Sequence, residues 1–325
     1  MDPHELKRCL LEDCELRNGR LYYRHVDHLT SHESPLFHLC RHSETGAPLS
    51  EVGRVAAILP VHQMGIPCDI GHIVNIGKEF ELPVIEDAAC ALGSEISRDQ
   101  GSTWERIGKP HGDIACFSFH PRKIITTGDG GMITTNSGRL DHRLRLLRHH
   151  GMNIPDIKRH FSEKVIFEEY LTTGFNYRMT DIQAAVGIEQ LKKLEGILEK
   201  RRRTAQQYGQ LLKDIPCLEP LEPGPFARPN WQSYPVRIHG ESRLRQMELM
   251  QFLLDRGIST RRGIMNAHQE PAYLQAGWSL PISEESRDSV ILLPLYPEID
   301  DSVPAHIDAV LREALVSNVP RGLRT

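Results

Sequence analysis

Between residues 55 and 136, short apolar runs alternate with helical patterns, as in α/β proteins. Apolar residues at nearly helical spacing predict a helix over 69–80. Apolar segments of strand length predict buried strands at 55–60, 82–86, 113–118 and 131–135. Short strands separated by helices are typical of a mainly parallel sheet, in which ligands bind at the carboxyl ends of the strands.

The longest helical pattern runs from residue 180 to residue 212. Thr180 is its predicted N-cap, and Gln183, three residues later, completes a capping-box pattern. A cluster of prolines after residue 215 marks an irregular connection. The remaining pattern predicts a strand at 233–238 and helices near 242–256 and 303–315.

The length of 325 residues is enough for two domains. We predict a large domain over 1–212, with an irregular 1–54 segment, and a smaller α+β domain over 213–325. The formal net charge of −4 argues against a dedicated nucleic-acid binder. No apolar run approaches a bilayer span, and the first residues lack a secretory pattern. Seven irregularly spaced cysteines favour free thiols in the cytoplasm over a disulfide framework.

Two dense groups of polar residues have plain structural interpretations. Potential zinc ligands are concentrated at His25, His28, His32, His38, Cys40 and His42. They lack a standard ligand spacing, so we favour a polar surface region and predict no metal site. The basic run at 200–203 is similarly interpreted as a solvated helix face rather than a nucleic-acid patch.

The first candidate for chemistry is a lysine between two predicted buried strands. Lys123 follows Ser118, the end of one strand, by five residues. Lysine is rarely buried without a task, and a desolvated amine is a suitable nucleophile for a Schiff base. An exposed loop lysine is the alternative.

The second candidate is Asp87, which ends the predicted strand at 82–86. Pyridoxal phosphate needs a carboxylate opposite its ring nitrogen, because the protonated ring stabilises a carbanion. The alternative for Asp87 is an N-cap of a helix that begins at Ala88. Glu86 is interpreted as a strand-end residue only. The third candidate is the pair Asn176 and Arg178, just before the long helix, where a phosphate or a plain junction would fit equally.

In combination, these segments resemble the DegT/DnrJ/StrS family of pyridoxal-phosphate-dependent sugar aminotransferases. The order and spacing match across about 55–200 through the motifs P-V-H-Q-M-G (60–65), V-I-E-D-A-A (84–89), G-D-I-A-C-F-S-F-H-P-R-K (112–123), G-D-G-G-M-I-T-T (128–135), R-H-H-G (148–151) and N-Y-R-M-T-D-I-Q-A-A (176–185). The resemblance implies a fold-type-I aminotransferase architecture, α/β with flanking helices. It also implies a homodimer whose active sites are shared between subunits.

The resemblance also implies roles for single residues. Lys123 would form the Schiff base with the cofactor, Asp87 would pair with its ring nitrogen, and Ser118 would contact its phosphate. Asn176 would reach the phosphate bound by the neighbouring subunit. Two further residues, His120 and Arg178, would line the pocket, although His120 is equally well explained as a packed histidine.

The chain departs from the family pattern in two places. Cys90 stands where most members carry a glutamine that contacts the ring hydroxyl, and a thiol is a weaker hydrogen-bond partner. Either ring tuning or substrate preference differs, or Cys90 is a small packing residue. No G-[ST]-x-A turn occurs in 1–54, so two cofactor contacts are expected to be missing.

We predict an aminotransferase that moves the amino group of L-glutamate to a nucleotide-linked keto sugar in ping-pong order. The resemblance implies a pathway of surface polysaccharide or secondary metabolite biosynthesis. Lys123 would also shuttle a proton. The alternative is an N-terminally truncated, non-catalytic relative that acts as a fold or dimer partner. Sugar dehydration is disfavoured because related dehydratases usually replace the lysine. Exposed loop charges account best for Arg261, Arg262 and His268, although contact with a sugar diphosphate is conceivable.

Overall fold

The structure is a computed structural model that describes residues 1–32, 34, 37–99, 101–154, 161–215, 217–239, 243–271, 273 and 278–315. The side chain of His28, one of the potential zinc ligands, lies outside the described residues. Within the described ranges, no helix has the length and apolar character of a membrane span. No group of three or more ligating side chains is arranged there to hold a metal ion.

Both helices and strands occur throughout the described chain. The helices are α1 (Pro3–Arg8), α2 (Asp27–Thr30), α3 (Ile70–Glu79), α4 (Gly138–Arg148), α5 (Asp181–Lys192), α6 (Leu194–Leu212), α7 (Arg243–Leu254), α8 (Pro281–Ser289) and α9 (Val303–Leu315). The strands are β1 (Cys14–Arg17), β2 (Arg20–Tyr23), β3 (Ile85–Asp87), β4 (Glu95–Ile96), β5 (Glu105–Arg106), β6 (Ile114–Ser118), β7 (Gly131–Thr134), β8 (Leu218–Pro220), β9 (Ala227–Arg228), β10 (Tyr234–Ile238), β11 (Arg261–Arg262) and β12 (Val290–Leu293).

The sheet that carries the candidate residues has the order β3-β6-β7. β3 and β6 are parallel, and Asp87 is registered with Cys116. β7 is antiparallel to β6 because the connection 119–130 contains no helix that could make a crossover. The predicted strand at 55–60 forms only isolated parallel bridges, such as Ile58 to Val84, because Pro60 and Pro83 each remove a ladder donor.

The start of α5 has the predicted capping box. The Gln183 amide donates to the Thr180 hydroxyl at 3.3 Å, and the Thr180 amide donates to the Gln183 side chain at 3.0 Å. The single helix predicted over 180–212 is wrong, since the chain breaks at Lys193 into α5 and α6. The break lets α6 bury one face while most apolar side chains of α5 remain exposed.

Two hydrophobic clusters form the interior. The first packs β6, α3 and the residues that flank β3 against the N-terminal turns of α6, including Leu194 and Leu198. The second packs β10 and β12 against α7, α9 and the rest of α6, from Ala205 onwards. The two-domain division at residue 212 stays a prediction.

The first residues of the chain are more regular than the sequence indicated. α1 is followed by a π-helical turn and the antiparallel hairpin β1–β2. Leu10 and Cys14 enter the first cluster, and Lys7 forms an ion pair with Glu79 of α3 at 2.8 Å. The prediction of an irregular 1–54 segment is therefore wrong for residues 3–23, because apolar side chains anchor them to the core.

Candidate active site

Asp87 and Ser118 end two neighbouring parallel strands, β3 and β6, at the same edge of the sheet. The Asp87 amide donates to the Pro60 carbonyl at 2.9 Å, which fixes the strand end. The Asp87 carboxylate accepts a hydrogen bond from the Ala89 amide at 3.0 Å. Turns rather than a helix follow, so the alternative of an N-cap for a helix at Ala88 is wrong.

Lys123 lies in the connection between β6 and β7, half-buried beside the buried Ile124 and Ile125. Its Nζ atom lies 3.1 Å from Cys90 Sγ. Among the described residues, no carboxylate forms an ion pair with this amine. The alternative of a fully exposed loop lysine is therefore wrong, and the amine faces the turn that follows Asp87.

Ser118 and His120 shape the first part of the same connection. The Ser118 hydroxyl accepts a hydrogen bond from the His120 amide at 3.3 Å and still has its own hydrogen to donate. His120 is exposed, and its Nδ1 accepts a hydrogen bond from the Arg122 amide at 3.2 Å. The alternative of a packed histidine is thus wrong, and pocket lining by His120 stays a prediction.

Asn176 and Arg178 lie on an exposed segment just before α5. Asn176 forms an isolated antiparallel bridge with His149, and the Tyr177 amide donates to the Arg148 carbonyl at 3.0 Å. The backbone contacts of this segment are with the C-terminal end of α4 rather than with the loop that carries Lys123. The contact of Asn176 with the neighbouring subunit's phosphate and the pocket lining by Arg178 both stay predictions.

A buried carboxylate behind Asp87 was missed as a functional group by the sequence analysis. Glu86 is fully buried, and one of its oxygens lies 3.0 Å from His62 Nε2. Its other oxygen accepts hydrogen bonds from the amides of His111, at 2.6 Å, and Gly112, at 2.7 Å. The interpretation of Glu86 as a mere strand-end residue is wrong. The sequence signal was the charge itself, since an acidic residue inside a buried strand needs partners.

The hydrogen bonds decide the ionisation of Glu86. Burial alone raises the pKa of this carboxyl, but hydrogen bonds from His111, His62 and the Gly112 amide outweigh it and lower the pKa to about 2. The unfolded chain, with an ordinary glutamate pKa, therefore takes up this proton at higher pH than the folded chain.

We expect the free energy of unfolding to fall as the pH is lowered from about 5 to about 2, by up to about 3 kcal/mol from this group. The stabilisation is complete above the ordinary glutamate pKa and is lost as the pH falls through the folded value. Urea unfolding at several pH values checks it. Glu86→Gln is expected to flatten the pH dependence, and equal slopes for both proteins would contradict the assignment.

Asn230 and Gln232, which precede β10, form hydrogen bonds to the turn after Asp87 and to the loop that carries Lys123. Asn230 is fully buried, and its amide group donates to the carbonyls of Cys90, at 2.8 Å, and Leu92, at 2.9 Å. The Gln232 side chain donates to the Arg122 carbonyl, next to Lys123. No sequence pattern marked these residues, because both contacts join positions more than a hundred residues apart.

The charged residues Arg261, Arg262 and His268 are not exposed loop residues. Arg261 and Arg262 form β11, which pairs with β12, so the expectation of loop charges is wrong for them. Their sequence neighbours gave no strand pattern, and the pairing partner comes from a distant segment. His268 Nε2 lies 2.9 Å from a Glu284 oxygen and is engaged in that pair.

The donor set at the sheet edge fits pyridoxal phosphate chemically. An amine, Lys123, suits an aldehyde; a carboxylate, Asp87, suits a protonated ring nitrogen; and a hydroxyl, Ser118, suits a phosphate. The thiol of Cys90 is beside the amine, and its predicted contact with the cofactor ring stays a prediction.

Comparison with known proteins identifies relatives of this chain. A protein of Methanocaldococcus jannaschii, MJ1066, is 34% identical over 263 residues, which cover 79% of this chain and 66% of that protein. The Helicobacter pylori aminotransferase PseC has a TM-score of 0.72 at 27% identity, over 82% of this chain and 68% of PseC. DesV of S. venezuelae, solved with a ketimine intermediate, has a TM-score of 0.70 at 30% identity, over 82% and 67%.

The chain thus spans about two thirds of the length of these relatives. A family model, the DegT/DnrJ/EryC1/StrS aminotransferase family, matches residues 51–312, which include Asp87, Ser118 and Lys123. This match and the solved relatives confirm the predicted fold-type-I architecture and pyridoxal phosphate as the cofactor. The chain belongs to the DegT/DnrJ/EryC1/StrS aminotransferase family.

Proposed function

We propose that the protein is a pyridoxal-phosphate-dependent aminotransferase that moves the amino group of L-glutamate to a nucleotide-linked keto sugar. The observation that carries this proposal is the half-buried Lys123 amine, close to the turn after Asp87 and outside any described ion pair. Solved relatives such as PseC, described as an aminotransferase of pseudoaminic acid biosynthesis, support the sugar class of the acceptor.

When bound, the cofactor supplies an electron sink for the substrate carbanion. The Lys123 amine would hold the cofactor and, when free, would accept a proton from the substrate carbon at its Nζ atom. Asp87 would hold a proton at the ring nitrogen through its negative charge. The Ser118 hydroxyl would donate to a phosphate oxygen.

The proposal is tested by amino transfer with isotopically labelled L-glutamate and a panel of nucleotide-linked keto sugars. The expected product is an aminated nucleotide sugar that carries the labelled nitrogen, detected by mass spectrometry. Protein that receives the glutamate amino group but passes it to no sugar in the panel would contradict the sugar class. Protein that takes up no nitrogen would contradict aminotransfer itself.

We also propose a homodimer in the cytoplasm, with α5 and the segment before it in the interface. Large apolar side chains are exposed there on a single chain, which is unusual for a soluble surface: Phe167 84%, Tyr177 74%, Ile182 80%, Val186 45% and Ile188 57%. A second copy of this chain would cover them. Asn176 lies within the same exposed segment, so the interface would place it near the partner's cofactor.

Mixing two inactive variants tests the shared site. If Asn176 serves the partner's site, Lys123→Ala and Asn176→Asp subunits form mixed dimers that each have one intact site. Random mixing is then expected to restore about a quarter of wild-type activity, because about half of the dimers are mixed. Activity no higher than that of the separate variants would contradict the sharing of sites. The control is Arg203→Ala, which changes an exposed residue of α6. Its mixture with Lys123→Ala is expected to show only the activity that Arg203→Ala has by itself.

A further inference from the structure

We propose that His62 and Glu86 are positioning residues that set the Asp87 carboxylate toward the cofactor; the inference rests on the proposed function. Neither side chain is exposed, and neither has a role in the chemistry derived above. They form a polar pair inside the first hydrophobic cluster, directly behind the strand end that presents Asp87.

Successive side chains of a strand point to opposite faces. Within β3, Glu86 is fully buried and Asp87 is partly exposed, so the two carboxylates lie on opposite sides of the sheet. A slip of one residue would exchange them and bring Glu86 to the cofactor side. The bonds to Glu86 therefore also decide which carboxylate faces the site.

His62 binds two consecutive residues of β3, Glu86 through its side chain and Asp87 through its main chain. Its Nδ1 accepts a hydrogen bond from the Cys68 amide at 3.2 Å, which leaves Nε2 to carry the hydrogen and donate it to Glu86 at 3.0 Å. The His62 amide donates to the Asp87 carbonyl at 3.0 Å. His62 thus binds both the buried Glu86 carboxylate and the backbone of Asp87, the predicted cofactor-binding residue.

Glu86 also connects β3 to the start of β6, which ends at Ser118. Its second oxygen binds the amides of His111 and Gly112, just before β6. A Cβ atom at residue 112 would lie 2.6 Å from the Val84 carbonyl oxygen, so glycine is required for this close approach. The buried carboxylate therefore fixes the alignment of both strands whose ends contribute to the site.

Three variants separate positioning from general stability. Glu86→Gln keeps the size of the side chain but removes its charge, and His62→Leu removes the donor. His62→Gln keeps a donor and should rescue the effect of His62→Leu. Glu105→Gln is the matched control, because Glu105 contacts His111 from its other side, at 3.2 Å, without touching β3.

The first readout is amide hydrogen exchange in the full chain, which needs no cofactor. The Ala89 amide reports on Asp87 because it donates to the Asp87 carboxylate. We expect its exchange to accelerate about tenfold or more, relative to the Ile73 amide of the same cluster, in Glu86→Gln and His62→Leu. His62→Gln and Glu105→Gln should remain within about twofold of the wild type.

The second readout is the visible absorbance of the cofactor-loaded protein as a function of pH. Glu86→Gln is expected to shift the transition of the absorbance band in the same direction as Asp87→Asn, whereas a merely structural role would leave it unchanged. Equal acceleration at Ala89 and Ile73, or an unshifted absorbance transition, would overturn the positioning role. If the wild type binds no cofactor, the proposed function fails, and hydrogen exchange alone decides the positioning role.

Discussion

Replacement of Lys123 by alanine is expected to lower amino transfer by at least about 10³-fold, because the amine has two tasks, covalent anchoring and proton transfer. The visible absorbance band of lysine-bound cofactor should disappear with it. Steady-state kinetics with L-glutamate and an absorbance spectrum check both effects. Lys123 is half-buried, and its amine lies beside Cys90 in the turn that follows Asp87.

The matched control is Lys109→Ala. Lys109 is exposed and pairs with Glu105 of β5, which belongs to a different sheet, so its removal should leave the activity and the spectrum unchanged. Full activity of Lys123→Ala would contradict the assignment of the nucleophile. An equal loss in both variants would indicate a general effect of lost lysines on the fold.

Asp87→Asn is expected to lower the activity by about 10²–10³-fold while the cofactor still binds through Lys123. A neutral amide cannot hold a proton at the ring nitrogen by charge, so the electron sink is weakened. The measurement is kcat for the glutamate half-reaction together with the spectrum of the loaded protein. Asp141→Asn, which removes an exposed carboxylate paired with Arg145, is the control. Unchanged kcat in Asp87→Asn would refute the role.

The sequence predicted the parts of the site that depend on local pattern. Asp87 and Ser118 each end a short apolar strand, and ligand groups collect at such ends. The capping box of α5 was predictable because its two partners, Thr180 and Gln183, are three residues apart. The functional roles of these residues came from the resemblance, since no single motif is specific by itself.

The parts that were missed depend on contacts between distant segments. Glu86 was interpreted as a strand-end residue because its partners, His62 and Gly112, come from two other parts of the chain. The break at Lys193 was hidden because one apolar stripe continues through α5 and α6. Only the fold shows that α6 buries its stripe, whereas α5 presents much of its own on the surface.

The most direct test of the central claim is the absorbance spectrum of the full chain with added pyridoxal phosphate, before and after L-glutamate. The account predicts a visible band of lysine-bound cofactor that L-glutamate bleaches and that Lys123→Ala lacks. Absence of the band at saturating cofactor would contradict the claim that the residues present in this chain form a working cofactor site.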